Sequence, residues 1–201
     1  DPTNTYNYRN YLIEHTPGTT VILPDLGIFN IEISAGWKHS IIKDRKETAQ
    51  TKFEKSFNAL KGEVLISLGG RLSEKAEHTI KYSMNSQLPN ITQLRSEVNN
   101  SNPYFISGGN PNLKASTIHK IWWKEQHRFN NYGHLINSEL TLAFIKNSIS
   151  NRNTYFSKAT YLPDFKYTAI ANSTLSSYDN LNGAWNTDWD ISWMYPIVKI
   201  K

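Results

Sequence analysis

The sequence contains no cysteine among its 201 residues. That excludes a disulfide-stapled fold and any thiolate metal centre, without fixing the compartment. It has no apolar run of about 18 residues or more, so no helix can span a bilayer. Charge is scarce: Asp, Glu, Lys and Arg make up 19% of the chain, and the net charge of +5 is spread along it. With no basic block or recognisable binding motif, nucleic acid is not an expected partner, and a mild attraction to anionic surfaces is. There is no initiator Met before Asp1-Pro2-Thr3-Asn4. The expectation is a processed or truncated start with no signal peptide left to read.

Metal and catalytic spacings are missing as well. His119, His127 and His134 have no HExxH-like arrangement, so no metal or other cofactor is expected. Asp188 and Asp190 flank Trp189 with strand-like alternation, and paired catalytic carboxylates would need a facing partner. The chain is not expected to be an enzyme. Asn90-Ile91-Thr92 and Asn172-Ser173-Thr174 are glycosylation sequons of the kind chance supplies in an Asn-rich chain. The Gly-Gly-Asn-Pro-Asn run at 108–112 signals a turn.

Aromatic residues are plentiful, at 12% with six Trp and eleven Tyr. Together with Thr they favour strands, while the scattered Asn favours turns. The expectation is a single all-β domain over residues 1–201. Phe29, Ile31 and Ile33 alternate with Asn30, Glu32 and Ser34 as a half-buried strand. Residues 139–145 and 165–171 have the composition of core strands. Trp189, Ile191 and Trp193 alternate with Asp188, Asp190 and Ser192 near the end. Residues 43–56 are charged enough to pass for a surface helix.

One stretch admits two periods. Leu72, Ala76, Ile80 and Met84 recur every four residues, as in an amphipathic helix. A strict spacing of four drifts by about 40° per step against the helical period, and Gly69-Gly70 would cost about 1 kcal/mol each in a helix. From Val64 to Met84 the even positions are mostly apolar and the odd ones polar, which is strand patterning with one wet face. Upstream, Phe53, Phe57 and Ala59 alternate with polar neighbours, and Lys61-Gly62-Glu63 has turn chemistry. Residues 49–86 are therefore expected to form one long amphipathic β-hairpin. It either packs on a soluble core or crosses a membrane, for which a strand needs about 9–11 residues.

Gly69-Gly70 followed by His78-Thr79-Ile80-Lys81-Tyr82 resembles the stem of the staphylococcal alpha-haemolysin and leukocidin family. Residues 138–143, 156–165, 189–193 and 197–200 are similar to later strands of that family in the same order. The family's Trp-Gly-Pro-Tyr rim motif is absent. The resemblance, over about residues 26–201, implies a β-sandwich with a rim at about 112–136 and a stem at 49–86. It implies a secreted pore-forming toxin that binds a target-cell membrane through lipid headgroups or a receptor. Such a protein assembles into a ring, with or without a second component, and inserts the stem as a transmembrane barrel. Phe57, Ala59, Val64, Ile66, Leu68, Gly70 and Leu72 are the expected membrane-inserting positions, with Gly69-Gly70 near the tip and Glu74 and His78 above the bilayer. Trp122, Trp123, Phe129, Tyr132 and Lys146 are the expected lipid or sugar contacts. The alternative is a non-lytic β-sandwich module that binds carbohydrate or lipid.

Overall fold

The computed structural model describes residues 7–23, 29–47, 52–73, 75–95, 97–129 and 134–195. The chain is all-β, and among the described residues the one α-helix, α1 (Ile91–Leu94), is a single turn. The strands of the main sheet are β1 (Asn7–His15), β2 (Gly18–Ile22), β3 (Phe29–Glu47), β4 (Lys52–Ser73) and β5 (Ala76–Gln87), then β8 (Ser116–Arg128), β9 (Leu135–Lys146) and β14 (Ala184–Met194). They form an eight-stranded antiparallel sheet in the order β1-β3-β4-β5-β8-β9-β14, with β2 also on β3. Each strand therefore lies beside the one before it in this sheet, which is an up-and-down meander. Among the described residues the sheet does not close on itself.

β1 and β2 are one strand in register. His15 pairs with His39, and Gly18 with Gly36, so β3 continues unbroken past both. Pro17, which has no N–H to donate, interrupts the ladder between them. An edge strand tolerates this, because only one side of its backbone is paired. Pro17 still accepts a bond from the Trp37 N–H at 3.1 Å. Gly36 is required opposite: a Cβ there would lie 2.7 Å from the Pro17 carbonyl oxygen.

The sequence expectations fare unevenly here. The period of two across Val64–Met84 is that of strands, as expected. Residues 43–56 are strand on both sides of the undescribed 48–51 and not helix. The turn expected at Lys61-Gly62-Glu63 is absent: these residues pair with Lys38, Trp37 and Gly36 inside β4. The chain turns instead between β4 and β5, with a register shift between Arg71 and Ser73. Residues 52–87 are thus not a stem projecting from a sandwich. They are two central strands of the main sheet, flanked by β3 and β8. Gly70 pairs with His78, so those two positions share one height, and His78 does not lie far from the glycine pair.

The remaining residues make a smaller unit from two excursions, 88–115 between β5 and β8 and 147–183 between β9 and β14. It contains β6 (Val98–Asn99), β7 (Phe105–Gly108), β10 (Ser148–Phe156), β11 (Thr160–Leu162), β12 (Tyr167–Ala169) and β13 (Ser173–Leu181). Parallel pairing of β13 with β7 joins the two excursions in a four-stranded sheet. Asn180 ties them further. Its amide donates to the Lys114 and Asn147 carbonyls at 3.0 and 2.8 Å, and its Oδ1 accepts the Lys114 N–H at 2.7 Å. One core (Ile106, Ala169, Leu175) lies within this unit. A second (Ile42, Leu94, Leu113) anchors it to β3.

Both sequons have structural roles. Asn90 caps α1 by accepting the Gln93 N–H at 2.9 Å, and the Gln93 side chain accepts the Asn90 N–H in return, which makes a capping box. Asn172 takes a left-handed turn conformation at φ 62° and accepts the Tyr155 hydroxyl.

Candidate functional site

The register decides which residues share a face, because side chains alternate and antiparallel partners point the same way. Three successive rows run across β3, β4, β5, β8, β9 and β14. They are Ile31–Leu68–Ile80–Trp123–Leu140–Trp189, then Ile33–Ile66–Tyr82–Ile121–Leu142–Thr187, then Ala35–Val64–Met84–His119–Phe144–Trp185. Only Thr187 and His119 in this grid are not apolar or aromatic.

This face is not a core. Ile33, Ile66, Leu68, Ile80, Ile121 and Phe144 are all exposed, and Trp185, Trp189 and Trp193 reach 70, 64 and 68%. Polar atoms on it are matched locally. The Tyr82 hydroxyl lies 2.9 Å from His119 Nδ1, and Trp189 Nε1 donates to Ser138 Oγ at 3.0 Å. A continuous apolar surface of this extent exceeds the scattered exposed residues of a soluble monomer.

The band has two edges. Beyond Ile31–Trp189, the next row is Phe29–Gly70–His78–Glu125–Ser138–Ile191, where polar residues enter. At the other edge Thr117 and Lys146 face each other two pairs beyond His119 and Phe144. On β14 the same phase runs Trp185, Thr187, Trp189, Ile191, Trp193, with Trp at both ends. Those eight steps span about 27 Å along the strand, or about 21 Å across a bilayer at the usual strand tilt of about 40°.

The opposite face is polar. The middle row there is Glu32–Ser67–Lys81–Trp122–Thr141–Asp188. Trp122 Nε1 donates to Glu139 Oε1, and Lys81 Nζ stands 5.2 Å from the centre of the Trp122 ring. Toward the small unit, Glu14 takes an ion pair from Lys38 at 2.9 Å and a bond from the Ser40 hydroxyl. The Lys38 hydrogen bond, and secondarily Ser40, hold the Glu14 carboxyl below the usual glutamate range.

The sheet's two ends also differ. At one, β4 passes to β5 through Glu74-Lys75 and β8 to β9 through 129–134. At the other, both long excursions leave from Gln87, Ser116, Lys146 and Ala184, so the small unit stands over that end alone.

The predicted site residues divide accordingly. Val64, Ile66, Leu68 and Gly70 share the apolar face. Phe57 and Ala59 pair with Ile42 and Ser40, on the opposite phase and beyond the band, because β4 has no turn to invert them. Leu72 falls at the register shift. The side chains of these last three are outside the described residues, as are Glu74 and Tyr132 altogether. Trp122 and Trp123 point to opposite faces. Phe129 packs on His127 at the short-turn end, with ring centres 4.6 Å apart, while Lys146 is at the long-loop end. No single rim site joins them. His119 and His127 stand eight residues apart on one strand, and no group of three metal-ligating side chains occurs among the described residues. The residues overlooked are those of β8, β9 and β14, notably Ile121, Leu140, Leu142, Phe144 and Trp185. Their signal was alternation in phase with neighbours that only the register reveals.

An amphipathic antiparallel meander with an exposed apolar band, a polar reverse and aromatic residues at the band's edges is the wall of a membrane β-barrel. The chain belongs to the outer membrane protein beta-barrel family, whose model matches residues 39–200. Two solved structures are similar in fold. A mutant ferric enterobactin receptor (PFEA) from Pseudomonas aeruginosa has a TM-score of 0.55 at 13% identity, with 94% of this chain and 34% of that one covered. The siderophore receptor PirA from the same organism gives 0.55 at 12% identity, covering 94% of this chain and 41% of that one. The chain thus spans well under half the length of either receptor. No curated protein matches.

These findings overturn the resemblance to the staphylococcal toxin family, and with it the secreted pore-forming toxin that inserts into a target-cell membrane. They give no support to the non-lytic binding module either. The cause is physical. Any strand with lipid on one side and water on the other has the same period of two, so short stem-like motifs recur in unrelated barrels.

Proposed function

We propose that this chain supplies an arc of the wall, and the external cap, of a receptor barrel in a bacterial outer membrane, where it admits a small ligand and performs no chemistry. The observation that carries the reading is the exposed apolar band, in phase across six neighbouring strands. In water such a face would be an aggregation surface; against acyl chains it is the solvated state. Barrels of this kind have short periplasmic turns and long extracellular loops. The Glu74-Lys75 end is then periplasmic, and the unit built from 88–115 and 147–183 is extracellular. Ile42, which anchors that unit, lies on the polar phase of β3, so the cap leans over the inner side of the wall. In place of a sandwich, the polar face lines the interior. Among the described residues the outer edge of β14 has no partner within hydrocarbon, where unsatisfied backbone groups cost several kcal/mol each, so further strands close the wall there. Uptake of a ligand is supported by the likeness to two receptors and by the cap, in which Arg152, Asp179, Asp164 and Phe165 border an open cavity of about 390 Å³.

The test is location and accessibility. Single cysteines at Leu142 and Thr141, adjacent on β9, are introduced into the cysteine-free protein expressed in a Gram-negative host. The Leu142 thiol should be shielded from a water-soluble maleimide in outer-membrane fractions, and the Thr141 thiol should react. Equal labelling of both, or recovery of the protein outside that fraction, defeats the reading.

A further inference from the structure

We propose a second binding site, on the outside of the wall, for the phosphate of an outer-leaflet lipid; it rests on the membrane reading above. A cleft of about 350 Å³ opens where β9 gives way to the cap, lined by His119, Phe144, Lys146, Asn182, Gly183 and Ala184. Its lower wall is apolar. Phe144 is 53% exposed and Trp185, in the same row, 70%, so both present rings where acyl chains begin. Its upper wall is cationic. Lys146 is exposed on the outward phase, and no described residue bonds to its ammonium or pairs with its charge. Beyond the His119–Phe144 pair, the outward positions of β5, β8 and β9 are Ser86, Thr117 and Lys146, with no carboxylate to compensate the lysine.

His119 is fixed for the same task. The Tyr82 hydroxyl engages its Nδ1 at 2.9 Å, which leaves Nε2 as the ring nitrogen without a protein partner among the described residues. Gly183 lets the chain turn at the mouth: its φ of +84° lies in the left-handed region that favours glycine, and the space beside its Cα is open. An unpaired ammonium and an imidazole edge set one row above aromatic rings suit an amphiphile whose head is anionic and whose tail is apolar. A basic side chain near a membrane surface favours anionic lipid by roughly fivefold.

The experiment uses the closed barrel that contains this chain, in phosphatidylcholine vesicles with spin-labelled phosphatidic acid or spin-labelled phosphatidylcholine. The readout is the motionally restricted fraction of each label. The expected result is preference for phosphatidic acid, lowered roughly fivefold by Lys146→Gln. Thr117→Lys, which adds a second ammonium opposite the first, should raise the preference and so guards against loss by misfolding. Lys124→Gln, on the inward phase of β8, should leave it unchanged. If Lys146→Gln matches the wild type, or Lys124→Gln lowers the preference equally, the site is refuted. Restricted lipid without headgroup preference defeats this inference and spares the membrane reading. Absence of restricted lipid of either kind defeats both.

Discussion

Replacing Ile66 with Arg separates a wall facing lipid from a sheet facing water. Ile66 is in the middle of the three apolar rows, between Ile33 and Tyr82, and is 40% exposed. An Arg at that depth on a lipid-facing strand costs about 2–4 kcal/mol, whereas a surface substitution in water usually stays within about 0.5 kcal/mol. The predicted loss is roughly 30- to several-hundred-fold in the folding equilibrium. Ser67→Arg is the internal control. Its position is one residue away on the polar phase, in a row with Glu32 and Lys81, and its cost should be near zero. Depth adds a second dimension. Val64→Arg and Leu68→Arg should cost less than Ile66→Arg, and Gly62→Arg, beyond the band opposite Trp37, least of all. The assay is urea-dependent folding of the closed barrel that contains this chain into phosphatidylcholine vesicles, followed by the mobility difference between folded and heat-unfolded protein on gels. Equal penalties for Ile66→Arg and Ser67→Arg, or no dependence on depth, would refute the assignment of the faces.

Three further outcomes follow from single contacts. Asn90→Ala removes the side-chain half of the capping box, the acceptor of the Gln93 N–H, and keeps the backbone N–H that Gln93 accepts; it should cost about 1 kcal/mol locally, seen as faster amide exchange at Gln93 and Leu94 with the main sheet unchanged. Gly109→Ala would bring a Cβ to 2.5 Å from the Gln93 and Arg95 carbonyl oxygens; overpacking of about 1–3 kcal/mol should make the cap sensitive to protease while β3–β5 stay protected. Glu14 lies well beyond the apolar band, and its carboxyl is held below the usual range by Lys38 first. Its contribution is complete above the ordinary glutamate range and is lost as pH falls through the lowered value, so acid should loosen the β1–β3 contact. Glu14→Gln should abolish that acid dependence in amide exchange at Ser40 and Ile41.

Val64 to Met84 was legible because each strand there is amphipathic alone, so its period survives without knowledge of its neighbours. The turn was not. Lys61-Gly62-Glu63 has better turn chemistry than Ser73-Glu74-Lys75, yet β3 holds the former in register from Gly36 to Lys38. The true turn is secured from elsewhere: the Lys75 carbonyl accepts the Arg128 N–H at 2.7 Å, a bond from β8, 53 residues along the chain. A turn at Lys61-Gly62-Glu63 would invert the phase of everything before it, whereas the continuous register sets Phe57 opposite Ile42 and Ala59 opposite Ser40. Trp122-Trp123 shows the same limit. Adjacent residues in a strand must part, so one ring joins the band and the other bonds Glu139 on the polar side. Of the cap, the turn at 108–112 and the strand composition of 165–171, which contains β12, left a local trace. Its parallel β7–β13 pairing is non-local and has no sequence period.

What distinguishes a barrel wall from a toxin stem is the number of neighbouring strands sharing one phase, not the quality of any one strand. A stem contributes a single hairpin, and its apolar face becomes continuous only when copies assemble. Here β3, β4, β5, β8, β9 and β14 follow one another in one chain, and their rows are apolar without a second copy. The distribution of loop length points the same way. A hairpin that inserts must carry a short tip through the bilayer, and it gains nothing from a folded unit seated on one end of its sheet. A resident wall gains a cover whose attachment dictates its tilt. Because Ile42 is on the polar phase and Lys146 on the apolar one, the cap meets the inner side of the wall while the cleft at its foot opens outward.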